Sequence, residues 1–252
     1  MNEEFYDKAN AALRVLFAAA QRKNELHFAL AMMPEMRGLQ DPGWNTAQET
    51  VKAFDEYLEF LEGMEPGKMK CRVALSFYTH LSEASGYYEV PKNMLRVAEG
   101  LGHVLWPFSD LVQEHKLTGD EIAPNANKVL KDLAGHAKSL GFHDLAEVFR
   151  DAFDPDIRNG YAHGDYIVWT DGLRLPKRNG GRVRRIPWEE FNNAFERGIN
   201  FFTILREVID EFATTYEQPK TIRARLSDEP EAEWTIHRNK VRGTFGIKSG
   251  KA

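Results

Sequence analysis

FDPDIRNGYAHGDY, residues 153–166, marks the point where the chain changes its period. Upstream, apolar residues recur at helical spacing. Downstream, YIVW (Tyr166 to Trp169) reads as a strand of period two. Asp154-Pro155 stops the preceding helix, because proline restricts the residue before it and cannot continue the hydrogen-bond ladder. Asp156 is placed to cap the next turn. Asn159 and His163 are four apart and share a face of a helical turn. Arg158 lies about 100° round from Asn159, so the three polar heads edge one shallow site. The residues alone leave two readings open. One is a capped helix end, with Arg158 paired to a carboxylate and His163 closing the turn. The other is a functional site.

Toward the N-terminus, Leu13, Leu16, Phe17, Ala20, Leu26 and Leu30 predict one amphipathic helix over about Glu3 to Met33. Arg22 and His27 repeat the spacing of Arg158 and His163, but inside this uninterrupted pattern they read as a solvated face. Pro34, Gly38 and Asp41 to Gly43 end the helix. Thr46 and Glu49 have capping-box spacing and open a helix to about Leu61. After Pro66-Gly67, a helix is predicted from Lys68 to about Glu89, with Val73, Phe77, Leu81, Ala84 and Tyr88 as its apolar stripe. Beside that stripe run Arg72, Ser76, His80, Glu83 and Tyr87. His80, Glu83 and Tyr87 read either as a polar trio supporting Arg158 or as a plain surface stripe. Pro91, Pro107 and Pro124 divide the next part of the chain into shorter helices. Helices are expected over Asn125 to Leu140 and Phe142 to Phe153, broken at Gly141, a break that keeps His136 and His143 off one face.

Beyond the opening stretch, Asp171-Gly172 reads as a hairpin turn and Leu173 to Leu175 as the second strand. Asn179-Gly180-Gly181 suggests another turn and VRRI a third strand. Pro187 fits the first position of a helix carrying Glu189 and Glu190 in its first turn and reaching about Tyr216. The charged tail holds strand-like fragments at Thr221 to Leu226 and Trp234 to His237. The expected organisation is one mostly α domain over 1–217, with a hairpin at about 166–186 inserted before the last long helix. A charged C-terminal extension, with short β-like pieces, covers 218–252.

Composition limits the function. The 252 residues are 42% hydrophobic and 28% charged, with a formal net charge of -5. That argues against a polyanion binder using its whole surface, but leaves room for a local basic patch. Cys71 is the only cysteine. It allows neither an intrachain disulfide nor a cysteine metal cluster, as expected of a cytoplasmic protein. The start, MNEEFYDKAN, is too acidic and polar for a signal peptide. No apolar run approaches the roughly 20 residues a membrane span needs. No metal-ligand spacing, phosphate-binding glycine loop or nucleophile elbow is present, so no metal, cofactor or membrane is expected.

The stretch IRNGYAHGDY resembles the signature of the HEPN superfamily, all-α domains whose last core helices carry Arg-x4–6-His with a polar residue after the arginine. Arg158 takes the arginine position, Asn159 the polar one and His163 the histidine. Gly160 stands where many relatives carry a small apolar residue, which predicts a looser turn here. The match covers about ten residues; upstream, only the helical bundle is similar, and hairpin and tail lie outside the superfamily's minimal core. The resemblance implies a metal-independent endoribonuclease with RNA as substrate. It further implies a homodimer that faces two motifs, and an antitoxin or other protein partner in a toxin–antitoxin or defence system. Other members have lost activity and only bind or scaffold. A third reading is a helical protein binding a small ligand or nucleotide, with no link to RNA.

The chemistry suits the residues. Cleaving RNA through its own 2′-hydroxyl needs a base, an acid for the leaving 5′-oxygen, and positive charge at phosphorus. Histidine titrates near neutrality and serves as either proton-transfer group. Arginine stays charged and grips phosphate oxygens with two donors. Asn159 offers a donor to phosphate or to the imidazole. From Arg174 to Arg185 the sequence RLPKRNGGRVRR holds six basic residues (Arg174, Lys177, Arg178, Arg182, Arg184, Arg185) and no acid. It reads as an RNA-binding, phosphate-tracking arm, or equally as an edge hairpin kept soluble by charge. Trp169 and Trp188, which flank it, read as packing residues rather than base-stacking platforms.

Overall fold

Helix α1 (Glu3–Lys23) buries Leu13, Leu16, Phe17 and Ala20 completely. Each large side chain so removed from water is worth about 1.5–3 kcal/mol. The computed structural model describes residues 3–33, 46–176, 182–226, 229–241 and 244–250. The chain is mostly α, with small antiparallel sheets. After α1 come α2 (Glu25–Ala31), α3 (Thr46–Glu62), α4 (Lys68–Ser82) and α5 (Ser85–Glu99). A small ladder, β1 (Gln113–Glu114) with β2 (Glu121–Ile122), precedes α6 (Ala126–Ser139), α7 (His143–Asp151) and α8 (Pro155–Ala162). Strands β3 (Ile167–Val168), β4 (Gly172–Leu175) and β5 (Arg184–Pro187) form an antiparallel sheet before the long α9 (Trp188–Thr214). Finally β6 (Lys220–Ala224), β7 (Ala232–Asn239) and β8 (Thr244–Ser249) make an antiparallel meander. Helix α1 packs on α5, α7 and α9. From α9, the fully buried Phe201, Phe202, Ile204, Leu205 and Val208 complete the core.

Several helix boundaries depart from the periodicity. The first helix is interrupted at Asn24, whose extended backbone lets its side-chain oxygen accept the His27 N–H at 3.2 Å and start α2. His27 is therefore buried, not on a solvated face. Its Nδ1 accepts the backbone N–H of His103 at 3.0 Å, which requires a ring unprotonated at that nitrogen. The predicted Lys68 to Glu89 helix breaks at Glu83-Ala84. The freed Leu81 carbonyl is satisfied by the Ala84 N–H and by the Tyr88 hydroxyl at 2.8 Å. Pro91 does not segment the chain but lies inside α5. A mid-helix proline costs about 3 kcal/mol, offset here by burial of Tyr88, Met94, Leu95 and Val97. Pro187 is the cap rather than the first residue of α9, with Glu189 and Glu190 in the first turn as expected. The Thr46 side-chain cap and the Asn179-Gly180-Gly181 turn fall outside the described residues.

The tail is more ordered than its charge suggested. Both expected fragments are strands, and β8, unforeseen, pairs Ile247 with Ile236 at the centre of β7. Ile236 is fully buried, and the Arg238 N–H bonds the Tyr216 carbonyl at 2.9 Å. Lys220 binds Glu25 of α2 at 2.7 Å. Among the described residues no helix is long and apolar enough to cross a membrane.

The pair of His27, buried, and His103, half-buried, should make stability depend on pH. Burial first, then the neighbouring His27 and Arg96, pushes His103 down to about 4; burial also lowers His27. Both folded values lie below the unfolded value of about 6.5, so the fold favours the neutral rings. Their contribution is complete above about pH 6.5 and is lost as pH falls from there toward 4. The thermal midpoint should drop over that window, and the drop should be shallower in His103→Gln. Parallel pH profiles for the two proteins would show that the pair carries none of it.

Candidate functional site

Helix α8 is built by its two ends. Asp154, not Asp156, is the cap: its Oδ1 accepts the N–H groups of Asp156 at 2.9 Å and Ile157 at 3.2 Å. Pro155 takes the first helical position, where no N–H is needed. At the other end Gly164 adopts φ +70, the Gly164 N–H bonds the Tyr161 carbonyl, and the Asp165 N–H bonds the Gly160 carbonyl at 2.8 Å. This is a Schellman closure, and it leaves His163 as the exposed C-terminal cap. Gly160 does not loosen the turn. It is buried, and a Cβ there would stand 2.7 Å from Leu175 Cδ2. The glycine lets α8 sit closely on β4.

Arg158 and Asn159 do share the predicted edge. Arg158 Nη1 donates to Asn159 Oδ1 at 2.5 Å, while its Nη2 forms an ion pair with Glu83, the cap residue at the end of α4. The Arg158 side chain is only 12% exposed, against 39% for Glu83. Burial pulls Arg158 below its ordinary value, but from so far above neutrality that it stays charged. Its Nε–H is buried with no partner among the described residues. Such a donor costs about 1–3 kcal/mol. His163 follows one turn on, its N–H held by the Asn159 carbonyl at 3.1 Å.

The supporting trio is thus reduced to Glu83. His80 is exposed and packs near the Tyr57 ring, with centroids 6.0 Å apart. Tyr87 belongs to α5 and is core: its ring stacks on Phe202 at 4.0 Å, and burial raises its hydroxyl far above the usual range. The helix break at Glu83-Ala84 separates the two residues that the stripe joined.

The basic arm is also divided. Arg184 is engaged within the chain. It binds both Asp154 oxygens, at 2.6 and 3.0 Å, with Asp156 at 2.8 Å and Glu190 at 2.9 Å. These carboxylates, Asp154 foremost, raise Arg184 further above its ordinary value. The arginine ties β5 and α9 to the cap of α8. Arg174 is held by Asp171 at 2.5 Å. Lys177 and Arg178 lie outside the described residues. Arg182 and Arg185 are exposed and, among the described residues, make no ion pair. If they track phosphates, Arg182→Ser/Arg185→Ser should lower the salt slope of single-strand RNA binding by about 1.4, from about 0.7 per contact. An unchanged slope would leave the arm as a solubilising edge. Arg184→Ser, by contrast, should act on folding, because it strands three carboxylates.

Fold and site together define a mostly α protein, with a sheet inserted before its last long helix and an Arg–Asn–Glu cluster on α8, whose C-terminal cap is an exposed histidine. No protein-family model matches the chain, and comparison with curated proteins and with solved structures finds no match either.

Proposed function

We propose that this chain is a metal-independent endoribonuclease of HEPN type, acting on RNA at the end of α8. The observation that carries the reading is a mostly buried guanidinium on α8, paired to Asn159 and Glu83, with an exposed histidine capping the same helix. In this reading a phosphate displaces the Glu83 carboxylate, the more exposed partner, and takes the Arg158 fork. Asn159 keeps the guanidinium oriented. One His163 takes the 2′-hydroxyl proton, and the 5′-oxygen leaves with a proton from the His163 of a second copy. The motif holds one histidine, so each chain supplies one such proton-transfer group and a symmetric dimer supplies the other. A toxin or defence role rests on the resemblance alone.

The Glu83–Arg158 pair also favours a second reading, a non-catalytic HEPN-like module in which the arginine serves packing. Incubation with single-stranded RNA in EDTA separates the two: the nuclease cuts, and the module binds or ignores RNA without cutting. Sedimentation at micromolar concentration should give a species near twice 28.9 kDa. A monomer that cuts at full rate would refute the shared site.

A further inference from the structure

Beside the inserted sheet, a pocket of about 560 Å³ opens between α4, β3 and α9. The volume lies in the range typical of small-molecule sites. Trp169, Trp188, Phe191 and Phe195 wall it, and Asn192 and Lys68 stand at its rim. Three of the walls are fixed. Trp188 Nε1 donates to the Thr170 carbonyl at 2.9 Å, Trp188 meets Phe191 edge-on at 6.0 Å, and Phe191 stacks with Phe195 at 6.2 Å. Trp169 is different. It is 57% exposed and makes no ring contact among the described residues. An indole more than half exposed in the lining of an aromatic pocket offers a stacking platform. This departs from the sequence expectation that both tryptophans serve packing.

The polar groups narrow the ligand. Asn192 is exposed and, among the described residues, its side chain makes no hydrogen bond; its amide offers a donor and an acceptor to a ring edge. Lys68 is exposed and makes no ion pair among the described residues, whereas Lys70 is held by the Met64 carbonyl at 3.0 Å. The pocket lining contains both lysines and no acid, although the chain as a whole carries -5. A flat heteroaromatic ring bearing an anionic group fits all of these features.

We infer that this pocket binds one nucleotide, its base stacked on Trp169 and read at the edge by Asn192, its phosphate toward Lys68. The choice of a nucleotide among flat anions rests on the ribonuclease reading. Trp169 is six positions on from His163, so the two Cα atoms are at most about 22 Å apart. A single strand of a few nucleotides spans both.

The test is calorimetric titration of the full chain with the four nucleoside monophosphates and with a 2′-O-methyl RNA hexamer, which cannot be cleaved through its 2′-oxygen. Trp169→Ala should weaken binding about 5–150-fold, the equivalent of the usual base–aromatic stacking energy. Its exposure means the fold should tolerate the change. Asn192→Ala should alter the ranking of the four bases, and Lys68→Ala should weaken all of them alike. Tight binding of monophosphates assigns the pocket to free nucleotides; binding of the hexamer alone assigns it to an RNA strand. Absence of binding by every probe, or dissociation constants that none of the three substitutions changes, overturns the proposal. The nuclease reading fails separately. A chain that cuts RNA with these substitutions neutral loses only the pocket; one that binds nucleotides here but never cuts loses only the nuclease.

Discussion

His163→Ala should lower RNA cleavage in EDTA by about 10²–10⁴-fold, the usual cost of a missing acid–base group. The substitution leaves the backbone of the helix end in place. His163 is exposed and caps α8 through its backbone, with φ -99 and ψ 0, a conformation alanine adopts readily. Its N–H bond to Asn159 and the Gly164–Asp165 closure do not involve the imidazole. Circular dichroism should therefore match wild type while activity falls. Arg158 variants add a second axis. Arg158→Lys keeps the charge but loses the two-donor fork, so it should fall short of wild type even with RNA saturating. Glu83→Gln frees the fork from its resident carboxylate and should tighten RNA binding. Wild-type-like cleavage by His163→Ala would remove the histidine from the mechanism and leave the cluster a structural helix end.

What the sequence made legible was local chemistry. Gly141 breaks the helical run at φ +83, and Asp154-Pro155 separates α7 from α8, although Asp154 and not Asp156 is the cap. Each is decided within a few residues. The hairpin was likewise readable from Asp171-Gly172 and the change of period. The failures are tertiary. Pro91 stays inside α5 because burial around it outweighs the broken ladder. Tyr87 leaves the polar stripe because the α4–α5 break turns it onto Phe202. Arg184 looked like one cation in a basic run. Its role depends on carboxylates from α8 and α9, Asp154 being 30 positions away, and no pattern in the run itself marks it. Within the site, the Arg158–Asn159 contact followed from adjacency, and the exposure of His163 from its place at the helix end. Among the supporting trio, nothing in the sequence favoured Glu83 over His80 or Tyr87, because the discriminating event is a helix break satisfied by a tyrosine hydroxyl from the next helix.

Gly172→Ala should be among the most destabilising single substitutions in the chain, with a loss of about 3–5 kcal/mol. Two effects combine at this position. Gly172 has φ +148, a conformation side chains rarely adopt. More important, a Cβ built there would stand 2.0 Å from the Ile186 carbonyl oxygen and 2.9 Å from Pro187 Cα. Both are backbone atoms of β5, the strand that pairs with Gly172 and Leu173. A side chain could swing aside, but a paired strand cannot without opening the sheet. For a domain of this size, about 2–4 °C per kcal/mol gives a fall in midpoint of about 6–20 °C. Gly119→Ala is the control. Gly119 also has positive φ, at +74, but a Cβ there meets nothing within 4 Å. It should cost only about 1–2 kcal/mol, the conformational penalty alone. If the Gly172 chain responds locally instead, Leu173 and Ile186, both fully buried, must lose their cover. Amide exchange in β4 and β5 would then rise while the helices stay protected. Equal midpoints for the two alanine variants, with β4–β5 protection unchanged, would mean that the close strand approach at Gly172 does not hold the inserted sheet together. The sheet carries Trp169 and Arg184, so its opening should also loosen the pocket wall and release the Asp154 cap of α8, coupling a turn glycine to the helix that presents His163.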